Sequence, residues 1–381
     1  MNADAPCHLC GGDLHLLAGY GALHRVTSDC KPWPAGGRKA CCRQCGTVQV
    51  VLDAAWKKDC HDIYSTYSVY HQGGGSEQAV FDAAAQGTPR SRRLLEKVTA
   101  AASLPPRGRA LDIGCGNGNF IRSFAEVQPD WRLNGAEYNA IYRDQVLAIP
   151  RVEAFYSGGL ESIPGPFDFL SLIHVLEHIE DPVPFLRKVA ALGPAAQLLV
   201  EVPFFWDNPY ELLIADHATH YTPPTLVRVL HRAGLVAREL HTDWILKEIS
   251  ALTVVSASAP PGAVDPAAET ARAEAAIDFL AAVRDHAKQL REKTAKLGIF
   301  GTSIGGTWLH AELGGRVDFF VDEDASRIGH RHLGTPILSP AQVPAGSAVF
   351  MPLAERVARA AAARLQPASA GTYSWHASAA A

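Results

Sequence analysis

Through residues 89–259 of the 381-residue chain, short apolar runs alternate with amphipathic stretches. The runs at 110–113, 132–137, 152–156, 167–173 and 197–202 have the length and the boundaries of strands buried in a sheet. Residues 91–102, the stretch after Gly118, residues 142–147 and residues 183–192 space their apolar side chains as helices do. Strand and helix in alternation predict a parallel sheet covered on both faces, whose ligand belongs beyond the carboxyl ends of the strands. Glu137, Gly158, His174 and Glu201 fall at those ends. Residues 236–240 and 246–256 are expected to pair as an edge hairpin or meander.

The pattern changes on both sides of this unit. Residues 1–60 hold too little apolar surface for an ordinary core, and 61–88 read as a lid or linker. After Pro260-Pro261-Gly262, residues 260–296 form a linker helix rich in Ala, Glu, Arg and Lys. Residues 297–365 then repeat strand, glycine turn and helix, with a second strand at 317–321 ending at Asp322. That turn is either a second nucleotide site or a degenerate half that packs or shapes a substrate cleft. Residues 366–381, rich in Ala and Ser, are expected to fray.

Length and a 48% hydrophobic content allow two or three domains at about 150 residues each. With 35 basic and 39 acidic residues the chain has no electrostatic footprint for nucleic acid or an anionic membrane, so a small-molecule partner is expected. Apolar runs fall short of the roughly 20 residues that span a bilayer, and the N-terminus lacks a basic and then apolar leader pattern. A cytoplasmic location is therefore expected. In that setting the eight cysteines suit thiolate ligands or core positions better than disulfides.

Cys7-His8-Leu9-Cys10 and Cys42-Arg43-Gln44-Cys45 are two CxxC knuckles. Four thiolates at about 2.3 Å close a tetrahedral Zn2+ site, which leaves no open position and so serves the fold rather than chemistry. Cys7, Cys10, Cys42 and Cys45 are the expected ligands, with Cys41 as a substitute for Cys42; Cys30, Cys60 and His8 read as ordinary residues. Tyr64, Tyr67 and Tyr70, followed by Gly73-Gly74-Gly75, form either a hinged lid offering phenols to a substrate or an aromatic stripe packing the first module on the next.

Asp112-Ile113-Gly114-Cys115-Gly116-Asn117-Gly118 places glycines where a strand turns into a helix, and lets main-chain N–H groups approach a polar ligand. About twenty residues on, at the end of the next strand, Glu137 can accept the hydroxyls of a ribose. The GxGxG spacing lacks the later glycine of a dinucleotide fold and argues against NAD. After the strand at 197–202, Asp216-His217-Ala218-Thr219-His220-Tyr221 brings together two imidazoles that titrate near neutrality and a carboxylate to orient one of them. His217 and then His220 are the candidate bases; the alternative is that they cap the helix starting near Pro223 or face the interior.

Residues 109–120 resemble motif I of the class I S-adenosylmethionine (SAM)-dependent methyltransferases, and residues 173–182, Ile-His-Val-Leu-Glu-His-Ile-Glu-Asp-Pro, resemble the segment after their fourth strand. The resemblance implies an α/β fold: a Rossmann-like class I methyltransferase core with an N-terminal zinc-binding module and a C-terminal Rossmann-like domain. It implies SAM on Asp112, Gly114, Cys115, Gly116, Gly118, Glu137, Tyr138, Gly158 and His174, with residues 168–174 closing the adenosine side. Glu177 and His178 look structural or line the cofactor pocket.

The three-part layout is similar to that of the sugar C-methyltransferases that act on nucleotide-linked ketodeoxysugars. In that family a Glu-His pair after the fifth strand removes the proton beside the keto group, and the matching pair here is Asp216-His217. The family's next Tyr-Phe pair is His220-Tyr221 in this chain, and its lid tyrosine corresponds to Tyr64, Tyr67 or Tyr70. The implied activity is C-methylation of a nucleotide sugar with His217 as base. The rival readings are O-methylation of a glycan or secondary metabolite, an NAD-dependent oxidoreductase and a non-catalytic zinc-bearing partner protein.

Overall fold

The structure, a computed structural model, describes residues 5–67, 77, 79–81, 87–256, 262–369 and 373–377. Its central element is a seven-stranded sheet made of β1 (Arg109–Ile113), β2 (Arg132–Glu137), β3 (Val152–Ser157), β4 (Phe169–Ile173), β5 (Gln197–Pro203), β6 (Leu235–His241) and β7 (Glu248–Val255). The order across the sheet is β3-β2-β1-β4-β5-β7-β6. Strands β1 to β5 run parallel, while β7 is antiparallel to both β5 and β6, which makes the expected edge hairpin. Strand order reverses between β1 and β4, so the crevice for a ligand opens beyond Ile113 and Ile173.

Alternation along the strands builds two cores. Leu111, Leu172, Val200 and Val202 face one way and bury Leu186, Val189, Leu226 and Val229 of helices Pro182–Ala191 and Pro223–Arg232. Leu133, Phe169, Leu199 and Leu252 face the other way, against Leu94, Leu95, Phe120 and Phe124 of helices Arg90–Ala101 and Asn119–Val127. No helix among the described residues is long and apolar enough to cross a membrane.

The N-terminal module is not closed at residue 60. Its sheet runs Leu14–Leu16, Lys39–Cys42, Val48–Val50 and finally Thr219–His220, a strand supplied by the loop after β5. Helix Pro266–Lys293, capped by the Asp265 carboxylate, lays Ala273, Ile277 and Leu280 against Leu17, Tyr20 and Leu23 of that module and Trp308 and Phe350 of the C-terminal unit.

In the C-terminal unit Thr335–Leu338, Phe319–Val321, Leu297–Phe300 and Ala348–Met351 form a parallel sheet. At its glycine turn, a Cβ on Gly305 would run into the Pro352 carbonyl and one on Gly306 into the Gly301 carbonyl. Those glycines let the helix Ile304–Glu312 press on its strand, as a packing role requires.

The expected frayed tail from residue 366 is corrected in part. Helix Glu355–Ser369 leads to strand Ser374–Ala377, which adds to the sheet edge parallel to Ala348–Met351. Tyr373 is buried and the Trp375 ring lies 5.7 Å from Phe300, so two aromatics give the Ala-rich segment something to bury.

Candidate functional site

Gly114, Gly116 and Gly118 all have positive φ, at 74°, 49° and 82°, a backbone that a side chain makes costly. A Cβ on Gly114 would strike Val175, and one on Gly118 would lie 2.6 Å from Ile149. The turn is thus bare partly because its neighbours leave no space. Glu137 ends β2 beside it, and its carboxylate accepts the N–H groups of Gly116 (3.0 Å) and Tyr138 (2.7 Å). Tyr138 and Ile141 stand 87% and 71% exposed next to that acid, an open apolar ledge at the crevice. Gly158, φ 93°, donates its N–H to the Glu137 carbonyl at 3.4 Å.

Three residues expected at the cofactor turn their side chains away from the crevice. Asp112 is buried under the turn, where the Ser171 hydroxyl donates to it at 2.7 Å; burial pushes its carboxyl up to about 7, with Ser171 opposing. Cys115 is buried, and its sulfur lies within reach of any Cβ on Gly135, so it faces the sheet. Asp168 precedes β4 and accepts the Arg109 N–H at 2.8 Å, at the end of the sheet away from the crevice.

His174 follows β4 with φ 53°, a left-handed conformation that few non-glycine residues adopt. Its imidazole hydrogen bonds with Arg90, which also pairs with Glu201 at the end of β5, and lies 3.4 Å from Glu248 and 3.3 Å from Glu177. Burial opposes protonation of His174, but Glu248 and Glu177 outweigh it and raise its pKa.

The loop after β5 carries the second cluster. His217 is 3% exposed and its Nδ1–H donates to Glu211 Oε1 at 2.6 Å. Burial works against Glu211 ionising, yet His217 and His220 hold its carboxyl well below the usual range. A carboxylate only accepts, so His217 carries its proton on Nδ1 and keeps the Nε2 lone pair for another partner.

The carboxylate that orients His217 is therefore Glu211, where the spacing had pointed to Asp216. Asp216 instead accepts from the Ser28 N–H (2.9 Å) and hydroxyl (2.5 Å), and lies 3.5 Å from His178. His220, fully buried, also donates Nδ1–H to Glu211 Oε1, at 3.0 Å, and accepts from Lys39; it faces the protein and not the crevice.

His178 packs edge-on against His217, ring centroids 4.5 Å apart, and Tyr64 Oη lies 2.9 Å from His178 Nδ1. The Tyr67 ring lies 5.7 Å from that of Tyr64, tilted by 56°; Tyr70 and the triple glycine lie outside the described residues. Glu211, Lys39 and His178 were thus missed as members of this cluster. Glu211 left one trace, a lone charge in the apolar run Tyr210-Glu211-Leu212-Leu213-Ile214, whereas Lys39 left none because its partners lie far along the chain.

The sulfurs of Cys7, Cys10, Cys42 and Cys45 lie within 4.8 Å of one another, Cys7 to Cys45 at 3.6 Å and Cys10 to Cys42 at 3.4 Å. A zinc tetrahedron with bonds of about 2.3 Å has edges of about 3.8 Å, so the set fits that ion, and such distances exceed a disulfide bond. Cys42 Sγ accepts the N–H groups of Gln44 and Cys45, both at 3.4 Å, as a knuckle thiolate does. Cys41, one residue along the same strand, turns its sulfur away to the Gly46 carbonyl. Cys30 and Cys60 stand outside the set, and His8 Nε2 bonds to Thr219 at 2.8 Å.

A cleft of about 560 Å3 opens between the central sheet, the long helix and the C-terminal unit. Trp206, Phe279, Lys247, Arg272 and Arg356 line it, with the Arg272 guanidinium 3.7 Å over the Trp206 ring. Lys247 precedes Glu248, the neighbour of His174, so one wall of the cleft continues into the crevice.

Residues 87–240 match the family model described as a methyltransferase domain. The chain is similar to a ubiquinone biosynthesis O-methyltransferase of Aeromonas salmonicida, 26% identical over 160 residues that cover 35% of this chain and 64% of the relative. It is also similar to an uncharacterized methyltransferase of Schizosaccharomyces pombe, 27% identical over 164 residues, 35% of this chain and 59% of that one. The chain thus spans less than two thirds of either relative. Among solved structures, CalO1, a methyltransferase in calicheamicin biosynthesis in its SAH-bound form, is 19% identical with a TM-score of 0.37, covering 44% of this chain and 54% of that one. The stretch that matches a methyltransferase domain thus lies between a four-cysteine module and a C-terminal α/β unit.

Proposed function

We propose that the chain is a SAM-dependent methyltransferase that methylates a carbon of a nucleotide-linked sugar, with His217 as the base. The observation that carries this reading is the buried Glu211–His217 pair, which leaves the His217 Nε2 lone pair on the ring that packs against His178, within a stretch that matches a methyltransferase domain. Bound SAM supplies an electrophilic methyl group. The Gly114–Gly116–Gly118 backbone and Glu137 would hold its amino-acid and ribose parts, and Tyr138 with Ile141 would cover its adenine.

His217 would take the proton from the acceptor carbon while Glu211 stabilises the imidazolium that results, without itself being protonated. Burial lowers the proton affinity of His217, but Glu211 outweighs it and the pKa is raised. His178 and Tyr64, side by side at the crevice, are positioned to bond the oxygen next to that carbon. The cleft supports a nucleotide-linked substrate: Arg272 and Arg356, with Lys247, offer cations to a diphosphate in a lining that also holds Asp207 and Glu355, and Trp206 and Phe279 offer flat apolar faces. Zn2+ on Cys7, Cys10, Cys42 and Cys45 would hold the N-terminal sheet together.

The test is a mass-spectrometric screen of nucleotide sugars with labelled SAM, repeated with His217→Asn. Loss of a positioned general base lowers kcat by about 10²- to 10⁴-fold, with SAM binding by calorimetry unchanged. Wild-type turnover in the variant, or heat on adding NADH and none on adding SAM, overturns the reading. O-methylation is the second reading, favoured by the O-methyltransferase among the relatives. NMR of the product separates the two, because a methyl on carbon and a methyl on oxygen resonate apart.

A further inference from the structure

The loop that carries His217 is also an edge strand of the N-terminal sheet, with Thr219 opposite Gln49 and His220 opposite Val48. That pairing brings Lys39, at the start of the strand that ends in Cys42, beneath the histidines. Lys39, His220, Glu211 and His217 are 1%, 0%, 2% and 3% exposed, and each bonds to the next. Lys39 Nζ also donates to the Ile214 carbonyl at 3.2 Å and lies over the Tyr20 ring. Burying an ammonium is costly unless it is paired and hydrogen-bonded, and here its charge faces Glu211 and Asp216, with Arg25 and Cys60 also near.

The polarity of the chain follows from donor counts. An ammonium only donates, so His220 Nε2 accepts and its Nδ1 carries the proton. Glu211 Oε1 then receives two N–H groups, from His220 and His217, and both of its lone pairs are engaged. If His220 took the other tautomer, an imidazole lone pair would face that same oxygen, and Glu211 would have to turn away from His217.

We propose that Lys39, from the N-terminal module, is a positioning residue for the His217 base, acting through His220 and Glu211 to hold the orientation and basicity of that imidazole. This rests on His217 being the base. The four-cysteine module thereby takes part in methyl transfer without touching substrate, since it holds the strand that presents Lys39. Burial lowers the Lys39 pKa to about 7, with Glu211 opposing.

The test is Lys39→Met, with Glu211→Gln as a second break in the same chain. Folding of each variant is checked by retained zinc and by the melting shift with S-adenosylhomocysteine. The expected result is a drop in kcat of about a hundredfold, the scale of a small misplacement of a reacting group, with KM within about twofold. Loss of the positive charge also moves the acid limb of kcat/KM in Lys39→Met to higher pH. The groups facing His217 in that profile are Glu211, Glu177, Asp216, His178 and His220.

The decisive readout is the 15N spectrum of histidine-labelled protein, assigned with His217→Asn and His220→Asn. In the wild type both rings show Nδ1 protonated; in Lys39→Met the His220 Nε2 resonance moves as its donor is lost while Glu211 keeps Nδ1 protonated, and in Glu211→Gln the tautomers of both rings mix. Unchanged His220 and His217 resonances and an unchanged pH limb in both variants overturn the proposal. Changed resonances with wild-type turnover would instead mean that the network stands and the assignment of His217 as base has failed.

Discussion

At the scale of single residues, Asp112 offers the cleanest test. Its carboxyl is driven up to about 7 from an ordinary 3.8, first by burial and further by Glu137, against the Ser171 hydroxyl. Below about pH 4 the folded and unfolded chains both hold the proton, and the residue leaves stability unchanged. Between about 4 and 7 the unfolded chain releases the proton that the folded one keeps, so stability falls as pH rises and then levels off. Asp112→Asn removes that dependence. Without cofactor, the variant should be the more stable protein above pH 7, by up to a few kcal/mol in denaturant titrations, and should match the wild type near pH 4; equal stability at both values refutes the burial argument. The same residue shows what sequence conveys at this scale. A glycine's freedom is a local property, so Gly114, Gly116 and Gly118 were legible as a turn. The side to which Asp112 and Cys115 point depends on the sheet they join, and that was not.

At the scale of elements, the knuckles were legible because four sulfurs on two short spacings have few other uses, and adjacent cysteines were not, because choosing between Cys41 and Cys42 needs the phase of a strand. The strand puts Cys42 Sγ with Cys10 and sends Cys41 Sγ to the Gly46 carbonyl. Metal analysis should therefore find one zinc per chain in Cys41→Ser and none in Cys42→Ser. Chelation should lower the melting temperature and reduce turnover together, because Thr219–His220 pairs with the sheet that the proposed zinc would hold. Full activity in a zinc-free, folded protein contradicts the coupling. That shared sheet had no signature in the chain: two residues, Thr219 and His220, are too short a run to show alternation. Helix ends differed by a residue or two from expectation, as at Arg90–Ala101 and Pro182–Ala191, where capping and packing decide the last turn.

At the scale of the whole molecule, changes in pattern along the chain predict three units in order, while the cleft left no such trace, since its walls come from residues 205–209, 246–247, 272–279 and 354–357. No motif joins such distant segments; they meet because Pro266–Lys293 packs on both the N-terminal and C-terminal units. The cleft makes the substrate assignment testable apart from the chemistry. Arg272 and Arg356 approach it from different elements, one on the long helix and one near the start of helix Glu355–Ser369. Each charge-assisted hydrogen bond to a phosphate is worth about 1.5–3 kcal/mol, or roughly a 10- to 150-fold change in binding. Arg272→Ala and Arg356→Ala should each raise KM for a nucleotide-linked sugar on that scale, leave kcat within a few-fold and leave SAM affinity unchanged. The sugar lacking its diphosphate should be methylated poorly and equally by wild type and variants, because it never engaged those cations. Should both variants keep the wild-type KM for the nucleotide-linked substrate, the diphosphate lies elsewhere, and the cleft between the central sheet and the C-terminal unit is not where this enzyme reads its substrate.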